Sequence, residues 1–124
     1  MEIPKDLVAA SAAPLVLSIL ADGPSYGYAI IKRVSELSDG ELEWTEGLLY
    51  PLLHRLERQG HIVGSWGASE SGRKRKYYDV TAAGRAALAD HRSQWRAVAA
   101  ALEESWGSAK RLVEAAPSVG TVTA

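Results

Sequence analysis

The chain has 124 residues, enough for one domain with its own hydrophobic core, and 47% of them are hydrophobic, as in ordinary globular proteins. Its formal net charge is −1, so the chain as a whole lacks the basicity that is usual in nucleic-acid-binding proteins. It has no cysteine for disulfides or thiolate metal sites, and no apolar run approaches the roughly 20 residues that cross a membrane, so we expect a cytoplasmic protein with no membrane partner.

Two helices are predicted at the start of the chain. Leu7 to Ala21 is apolar and helix-like, and Pro14 is expected in the first ordered turn, where proline is tolerated. Ser25 is expected to cap the second helix. The buried face of this second helix should contain Tyr26, Ala29, Ile30, Val34 and Leu37. Gly27 weakens a helix by about 1 kcal/mol relative to alanine, so we expect the backbone there to lie close to another helix or to a phosphate.

A third helix is predicted from Thr45 to Gly60. Its leucines recur at spacings of three and four residues and form one apolar side: Leu48, Leu49, Leu52, Leu53 and Leu56. The opposite side carries side chains that can hydrogen-bond or hold charge: Glu46, Tyr50, His54, Arg55 and Arg58. Tyr50, His54 and Arg55 are of the types that bind base edges or phosphates, whereas Arg58 near the far end is a solvated charge in our interpretation.

Pro51 leaves the start of the third helix open. In a helix interior, proline removes one backbone hydrogen bond and crowds the carbonyl four residues earlier, which here belongs to Gly47, at a cost of about 3 kcal/mol. One alternative is a helix that begins after Thr45 and accommodates the proline near its first turn. The other is a regular helix that begins only at Pro51.

A β-hairpin is predicted after the third helix. Residues 61–66 and 76–80 are β-like by residue type and partial alternation, and the glycines and serines between them are typical of a turn. Residues 68–78 carry four basic residues and one acid, whereas residues 36–46 carry five acids and no base. A local positive patch can therefore exist on a nearly neutral chain.

The basic run at the end of this hairpin contains Arg73, Lys74, Arg75 and Lys76. Because a strand alternates its faces, at most about half of these side chains can point into one groove. We expect phosphate contacts from Arg73 and Lys74, helped by Arg75 or Lys76. A half-buried helix followed by a basic hairpin is the arrangement that a winged helix-turn-helix presents to DNA.

Thr81 is predicted to cap a long final helix. Six of its residues follow a spacing close to a heptad: Leu88, His91, Trp95, Val98, Leu102 and Trp106. The core is already supplied by three helices and a hairpin, so this second apolar seam predicts burial against another subunit. The resulting domains are residues 1–80 for DNA binding, 81–114 for dimerisation and 115–124 as a flexible tail. The fold class is mainly α with a small β-hairpin (α+β).

Three stretches of the chain resemble one protein family. They are G-L-L-Y-P-L-L-H-R-L-E-R-Q-G-H-I from Gly47, G-P-S-Y-G-Y-A-I from Gly23 and R-K-Y-Y-D-V-T-A-A-G from Arg75. In their order and spacing they are similar to the PadR-like transcriptional regulators. The C-terminal part has room for one long helix, which resembles the compact branch with a single C-terminal dimerisation helix.

The resemblance implies a homodimeric winged-helix repressor that binds double-stranded DNA, with the recognition helix running through Pro51. It also implies a small hydrophobic or aromatic effector between the subunits, and Trp95 is the candidate to stack on it. Two-fold symmetry predicts a palindromic operator with half-sites about 34 Å apart. The predicted DNA contacts are Tyr26, Lys32, Thr45, Glu46, Gly47, Tyr50, His54, Arg55, Arg73, Lys74, Arg75 and Lys76.

Catalysis is not expected from this sequence. Its three histidines, His54, His61 and His91, lie on different predicted elements, and the motifs of phosphate-binding loops and hydrolase triads are absent. We therefore predict no catalytic site, no cofactor and no resident metal, although His91 with nearby carboxylates leaves metal sensing open. The competing function is a winged helix that binds protein or ligand without an operator.

Overall fold

A computed structural model describes the backbone of residues 1–119 and the side chains of residues 1–107. The elements are α1 (Lys5–Ala21), α2 (Gly27–Leu37), α3 (Glu46–Arg58), β1 (Ile62–Ala68), β2 (Lys74–Val80) and α4 (Ala82–Val119). This confirms the predicted fold class. Residues 1–90 form one compact unit, and the chain from His91 onward forms a second. Helix α4 ends at Val119, inside the segment predicted as a tail; residues 120–124 of that segment lie outside the described residues.

The core of the first unit joins α1, α2, α3 and the hairpin. Its buried side chains include Val16, Leu17, Leu20, Ile30, Val34, Trp44, Leu49, Leu53, Leu56, Ile62, Tyr78 and Val80. Burying one such aliphatic or aromatic side chain stabilises the fold by roughly 1.5–3 kcal/mol. The leucine stripe predicted for the third helix is therefore the inner face of α3.

Helix α3 begins before Pro51. Thr45 is its N-cap, and the Thr45 hydroxyl accepts a hydrogen bond of 3.2 Å from the Leu48 amide. Both Gly47 and Pro51 are exposed, so water can solvate the Gly47 carbonyl that proline leaves without an amide partner. The helix therefore runs through Pro51, which excludes the alternative of a late start.

Three expectations for the first two helices are wrong. Helix α1 starts at Lys5, so Pro14 lies in its interior, where it removes one hydrogen bond but leaves the turns on both sides intact. The N-cap of α2 is Tyr26, because both backbone groups of Ser25 instead bond to Tyr78 of β2, at 3.0 and 2.7 Å. Leu37 is exposed, since helical periodicity does not show where the neighbouring helices end.

The hairpin is antiparallel and longer than predicted. Its register pairs Ile62 with Val80, Trp66 with Lys76, and Ala68 with Lys74. The turn is closed by a 2.8 Å hydrogen bond from the Ser69 amide to the Arg73 carbonyl. Because Ser25 pairs with the outer edge of β2, that strand has a backbone neighbour on both sides.

Helix α4 starts directly after the hairpin. The predicted cap is confirmed, because the Thr81 hydroxyl accepts a 3.0 Å hydrogen bond from the Gly84 amide and donates one of 2.6 Å to the Gly60 carbonyl. Gly84 lies against the His61 carbonyl, so the first turn of α4 is in contact with the start of β1. Through its hydrogen bond to Gly60, Thr81 thus connects the start of α4 to the segment that follows α3.

Candidate nucleic-acid interface

An open groove lies between the first turn of α2, the exposed side of α3 and the hairpin. We call it the basic groove. Its lining residues are Tyr26, Gly27, Tyr28, Glu46, Tyr50, His54, Trp66, Arg73, Lys74, Arg75, Lys76 and Tyr78. Four cations and one carboxylate line it, so its local charge is positive although the whole chain has a net charge of −1.

Most of the predicted DNA contacts meet in this groove, but four of them do not line it. Lys32 lines a neighbouring depression together with Tyr26 and Tyr28. Thr45 and Gly47 are exposed at the start of α3, and Arg55 is exposed beside His54 on the same helix. The exposed side of α3 therefore continues beyond the groove towards Arg55.

The basic run separates into two exposed and two half-buried side chains. Arg73 and Lys74 are exposed, whereas Arg75 and Lys76 are half-buried. The Arg75 guanidinium lies 3.8 Å from the centre of the Tyr26 ring. Cation–π contacts of this kind stabilise by roughly 0.5–2 kcal/mol, so Arg75 holds the hairpin against the start of α2.

Tyr26 also contacts the hairpin through a second ring. The centre of the Tyr26 ring lies 5.7 Å from the centre of the Tyr77 ring, and the two ring planes meet at 74°, which is an edge-to-face arrangement. Such a pair contributes roughly 0.5–1.5 kcal/mol beyond the area that it buries. Tyr26 is therefore a packing residue between α2 and β2 as well as part of the groove wall.

Lys76 connects the hairpin to α3. Its Nζ lies 3.4 Å from Oε1 of Glu57, with both side chains about one third exposed or less. Gly64 makes room for this contact, because a Cβ at that position would meet the Lys76 side chain. The Lys76 charge is thus partly balanced within the protein, which leaves Arg73 and Lys74 as the exposed cations of the basic run.

The ring of Tyr78 packs beneath the ammonium group of Lys76. The ammonium lies 5.3 Å from the Tyr78 ring centre, and the ring itself is buried. Burial raises the pKa of Tyr78 above its usual value of 10.0, and the Lys76 charge opposes that shift. The hydroxyl therefore stays neutral at physiological pH and adds no negative charge to the groove.

The reason for Gly27 in α2 is Tyr50. The Tyr50 hydroxyl lies against Gly27, where an added Cβ would overlap it. We expected the backbone at Gly27 to lie close either to another helix or to a phosphate, and the structure shows a close contact with helix α3. The Tyr50 ring thus reaches from α3 to the start of α2, and it also lines the basic groove.

We expect Gly27→Ala to change DNA affinity much more than stability. The tip of the Tyr50 ring can rotate away from the new methyl group, and alanine regains up to about 1 kcal/mol of helix propensity, so the free energy of unfolding should change by less than about 1 kcal/mol. Displacing Tyr50 should weaken operator binding about tenfold, the value of one good hydrogen bond to a charged group. Fluorescence anisotropy with labelled duplex measures the affinity.

The matched control for this prediction is the same change in a Tyr50→Ala background. There the methyl group has no ring to displace, so Gly27→Ala should leave the affinity unchanged. An equal loss in both backgrounds would show that Gly27 acts independently of Tyr50, and unchanged binding in the otherwise native chain would contradict a role for the Tyr50 position.

Two exposed groove residues are absent from the predicted DNA contacts: Trp66 and Tyr28. Both are exposed and both line the groove. Strand alternation places Trp66 on the same face as Lys74 and Lys76, but only once the register is known. The contact between Lys76 and Glu57 was missed as well, because it joins residues of different elements.

The seam predicted on α4 lies mostly in the second unit. Trp95, Val98, Leu102 and Trp106 are between 36% and 59% exposed, which is unusual for large apolar side chains on one strip of a helix. The prediction for Leu88 is wrong: this residue is 4% exposed and packs in the core of the first unit, since the first turn of α4 lies against His61 and Val80 at the end of the hairpin. His91 is half-buried.

The described part of the chain has no cluster of side chains suited to a metal ion: among its His, Asp and Glu side chains, no group of three or more is placed to hold one. Of the helices described, none is both long and apolar enough to span a bilayer.

Comparison with known proteins identifies close structural relatives. The family model for the transcriptional regulator PadR-like family matches residues 16–90. A transcriptional regulator from Clostridium thermocellum superposes with a TM-score of 0.73 at 28% identity, covering 81% of this chain and 97% of that chain. The PadR-like transcriptional regulator from Bacillus cereus gives a TM-score of 0.73 at 26% identity, covering 82% and 97%.

A relative from Mycobacterium tuberculosis, the transcriptional regulator Rv3488, is 46% identical over 57 residues, which are 46% of this chain and 52% of that protein. The matched part of the chain, residues 16–90, contains α2, α3 and both strands in full. The similarity therefore covers the elements that form the basic groove.

Proposed function

This chain belongs to the PadR-like family of transcriptional regulators, and we propose that it is a homodimeric repressor that binds a palindromic DNA operator through its basic groove. The observation that carries the proposal is the placement of Arg73 and Lys74, exposed on the hairpin, in one groove with the polar side of α3. Phosphate-binding cations beside a helix of exposed polar side chains fit duplex DNA. We also propose a cytoplasmic location, since a regulator must share a compartment with its operator.

In the proposed complex α3 enters the major groove, which is about 12 Å wide and admits a helix. Tyr50, His54 and Arg55 lie on its exposed side and meet base edges or phosphates. Arg73 and Lys74 meet phosphates and set the register of the protein on the duplex. Arg75 and Lys76 have a mainly positioning role, since their charges are already engaged with Tyr26 and Glu57.

Dimerisation is proposed through the apolar strip of α4. Its four exposed side chains, Trp95, Val98, Leu102 and Trp106, repeat at intervals of three and four residues, the pattern of a helix that packs against another helix. A two-fold dimer presents two copies of α3, and these match half-sites about 34 Å apart on one side of the duplex.

A small hydrophobic or aromatic effector is proposed at the same seam. Trp95 offers a partly exposed indole on the same strip as Val98 and Leu102, a surface suited to stacking with a flat ligand. An effector can release the operator only if it binds one arrangement of the dimer better than the other. Stacking on Trp95 supplies this difference if the seam opens further in one arrangement.

The DNA function is tested by binding to a labelled duplex from upstream of the protein's own gene, with scrambled duplex as competitor, at low and near-physiological salt. We expect preference for the native duplex and a steep decrease in affinity with salt. Equal binding to both duplexes would overturn sequence-specific repression at that site, and no binding at low salt would favour a protein-interaction module.

The dimer is tested by placing a charge on the seam. Val98→Asp should convert the protein to a monomer at micromolar concentration in sedimentation velocity, because a carboxylate cannot be buried unpaired in an apolar interface. Ala100→Asp, with the same charge on the other side of α4, should remain dimeric. A native protein that sediments as a monomer would contradict the proposed interface.

A further inference from the structure

Trp66 lies in the basic groove and is the most exposed of the four tryptophans. Its side chain is 69% exposed, and it stands directly opposite Lys76 in the hairpin register. Tryptophan is rarely so exposed, since its indole is the largest apolar surface among the side chains. An exposed indole beside cations is therefore a feature that calls for a binding partner.

The two faces of the hairpin explain the position of Trp66. The face that carries Trp66 also carries Ile62, Tyr78 and Val80, which are buried in the core at the end near α4. Towards the turn the same face emerges from the core and becomes part of the groove wall. Trp66 thus stands where the inner face of the hairpin is no longer covered by the protein.

We propose that Trp66 is an apolar DNA contact, packing its indole against deoxyribose and base edges while the neighbouring cations bind phosphates. This inference rests on the proposed function and adds to it a residue that contributes affinity without charge. Lys74, one pair further towards the turn, places an exposed positive charge on the same face. This charge complementarity favours a nucleic acid over an apolar protein surface as the occupant.

Apolar contacts and phosphate contacts have different signatures. A cation that binds a phosphate releases counterions, so its loss reduces the dependence of affinity on salt by nearly one unit of log–log slope. An indole that packs on sugar or base edges releases none, and burying an apolar side chain of this size contributes enough for a loss of about tenfold when it is removed. Affinity and salt slope measured together therefore separate the two kinds of contact.

The experiment compares the full chain with Trp66→Ala by titrating operator and scrambled duplexes at several salt concentrations. We expect a loss of about tenfold in operator affinity with an unchanged salt slope. If the loss is confined to the operator, the indole contacts base edges; if it is equal on both duplexes, it contacts deoxyribose. Native affinity in the variant, or a loss accompanied by a reduced slope, would overturn the proposal.

Two further variants keep the test specific. Val63→Ala removes an exposed apolar side chain from the other face of the same strand, where Val63 is 54% exposed, and should bind as the native chain does. Trp66→Phe keeps an aromatic ring and should restore most of the affinity. A loss with Val63→Ala equal to that with Trp66→Ala would overturn the assignment to the groove face. If the native chain binds neither duplex, the proposed function fails, which is distinguishable from failure of Trp66 alone.

Discussion

Replacing Arg73 and Lys74 together with alanine is expected to lower operator affinity by about 100-fold at physiological salt and to reduce the salt slope by nearly two units. These are the two exposed cations of the basic run, whereas the charges beside them are engaged with Tyr26 and Glu57. Each exposed cation that binds a phosphate contributes close to one unit of slope, so the two losses add. Anisotropy titrations between low and physiological salt measure both quantities.

A matched control removes two exposed cations that lie outside the groove. Lys5→Ala with Arg85→Ala changes the net charge by the same amount, and both side chains are exposed. This variant should lose little affinity and keep most of the slope, since only long-range attraction is reduced. A native slope in the Arg73 and Lys74 double variant would contradict phosphate contacts from the hairpin.

Gly84→Ala is expected to destabilise the fold by about 3 kcal/mol, which corresponds to a decrease of roughly 10 °C in Tm. The new methyl group would overlap the His61 backbone carbonyl and lie 2.8 Å from Cγ2 of Val80. A backbone oxygen cannot rotate away as a side chain can, so α4 must shift from the hairpin. The gain of up to about 1 kcal/mol in helix propensity does not offset this.

Gly47→Ala is the control for that measurement. Gly47 also lies in the first turn of a helix, but an added Cβ there meets only the Thr45 hydroxyl, at an ordinary 3.7 Å. This variant should be as stable as the native chain or slightly more so. Urea unfolding at matched protein concentration compares the two, because the proposed dimerisation would make stability depend on concentration. Equal stability of both variants would show that the close contact at Gly84 is readily relieved.

Predictions from the sequence agree with the structure where the decisive interactions are local. The leucine spacing of α3, the Thr45 cap and the Thr81 cap each depend on residues within a few positions of one another. They were predicted correctly and are confirmed. The same holds for the hairpin, whose residue types and turn are contained in one short segment.

The wrong predictions concern residues whose environment is set by a distant part of the chain. Ser25 has the chemistry of a helix cap, but its backbone is taken by β2, and no local pattern shows that partner. Leu88 has the spacing of the seam, but it falls on the part of α4 that covers the first unit. Likewise, Arg75 and Lys76 differ from the exposed Arg73 and Lys74 because they contact Tyr26 and Glu57, which lie far away in the sequence and come close only in the fold.

The attachments of the hairpin have a consequence for the entropy of DNA binding. A two-stranded hairpin alone is marginally stable in water and would have to be ordered by its ligand. Here the pairing of β2 with Ser25, the Arg75 stack on Tyr26 and the Lys76 pair with Glu57 order it in advance. Since fixing one backbone residue costs about 1–2 kcal/mol, a preorganised hairpin spends little binding energy on its own immobilisation, and more remains for discrimination between operators.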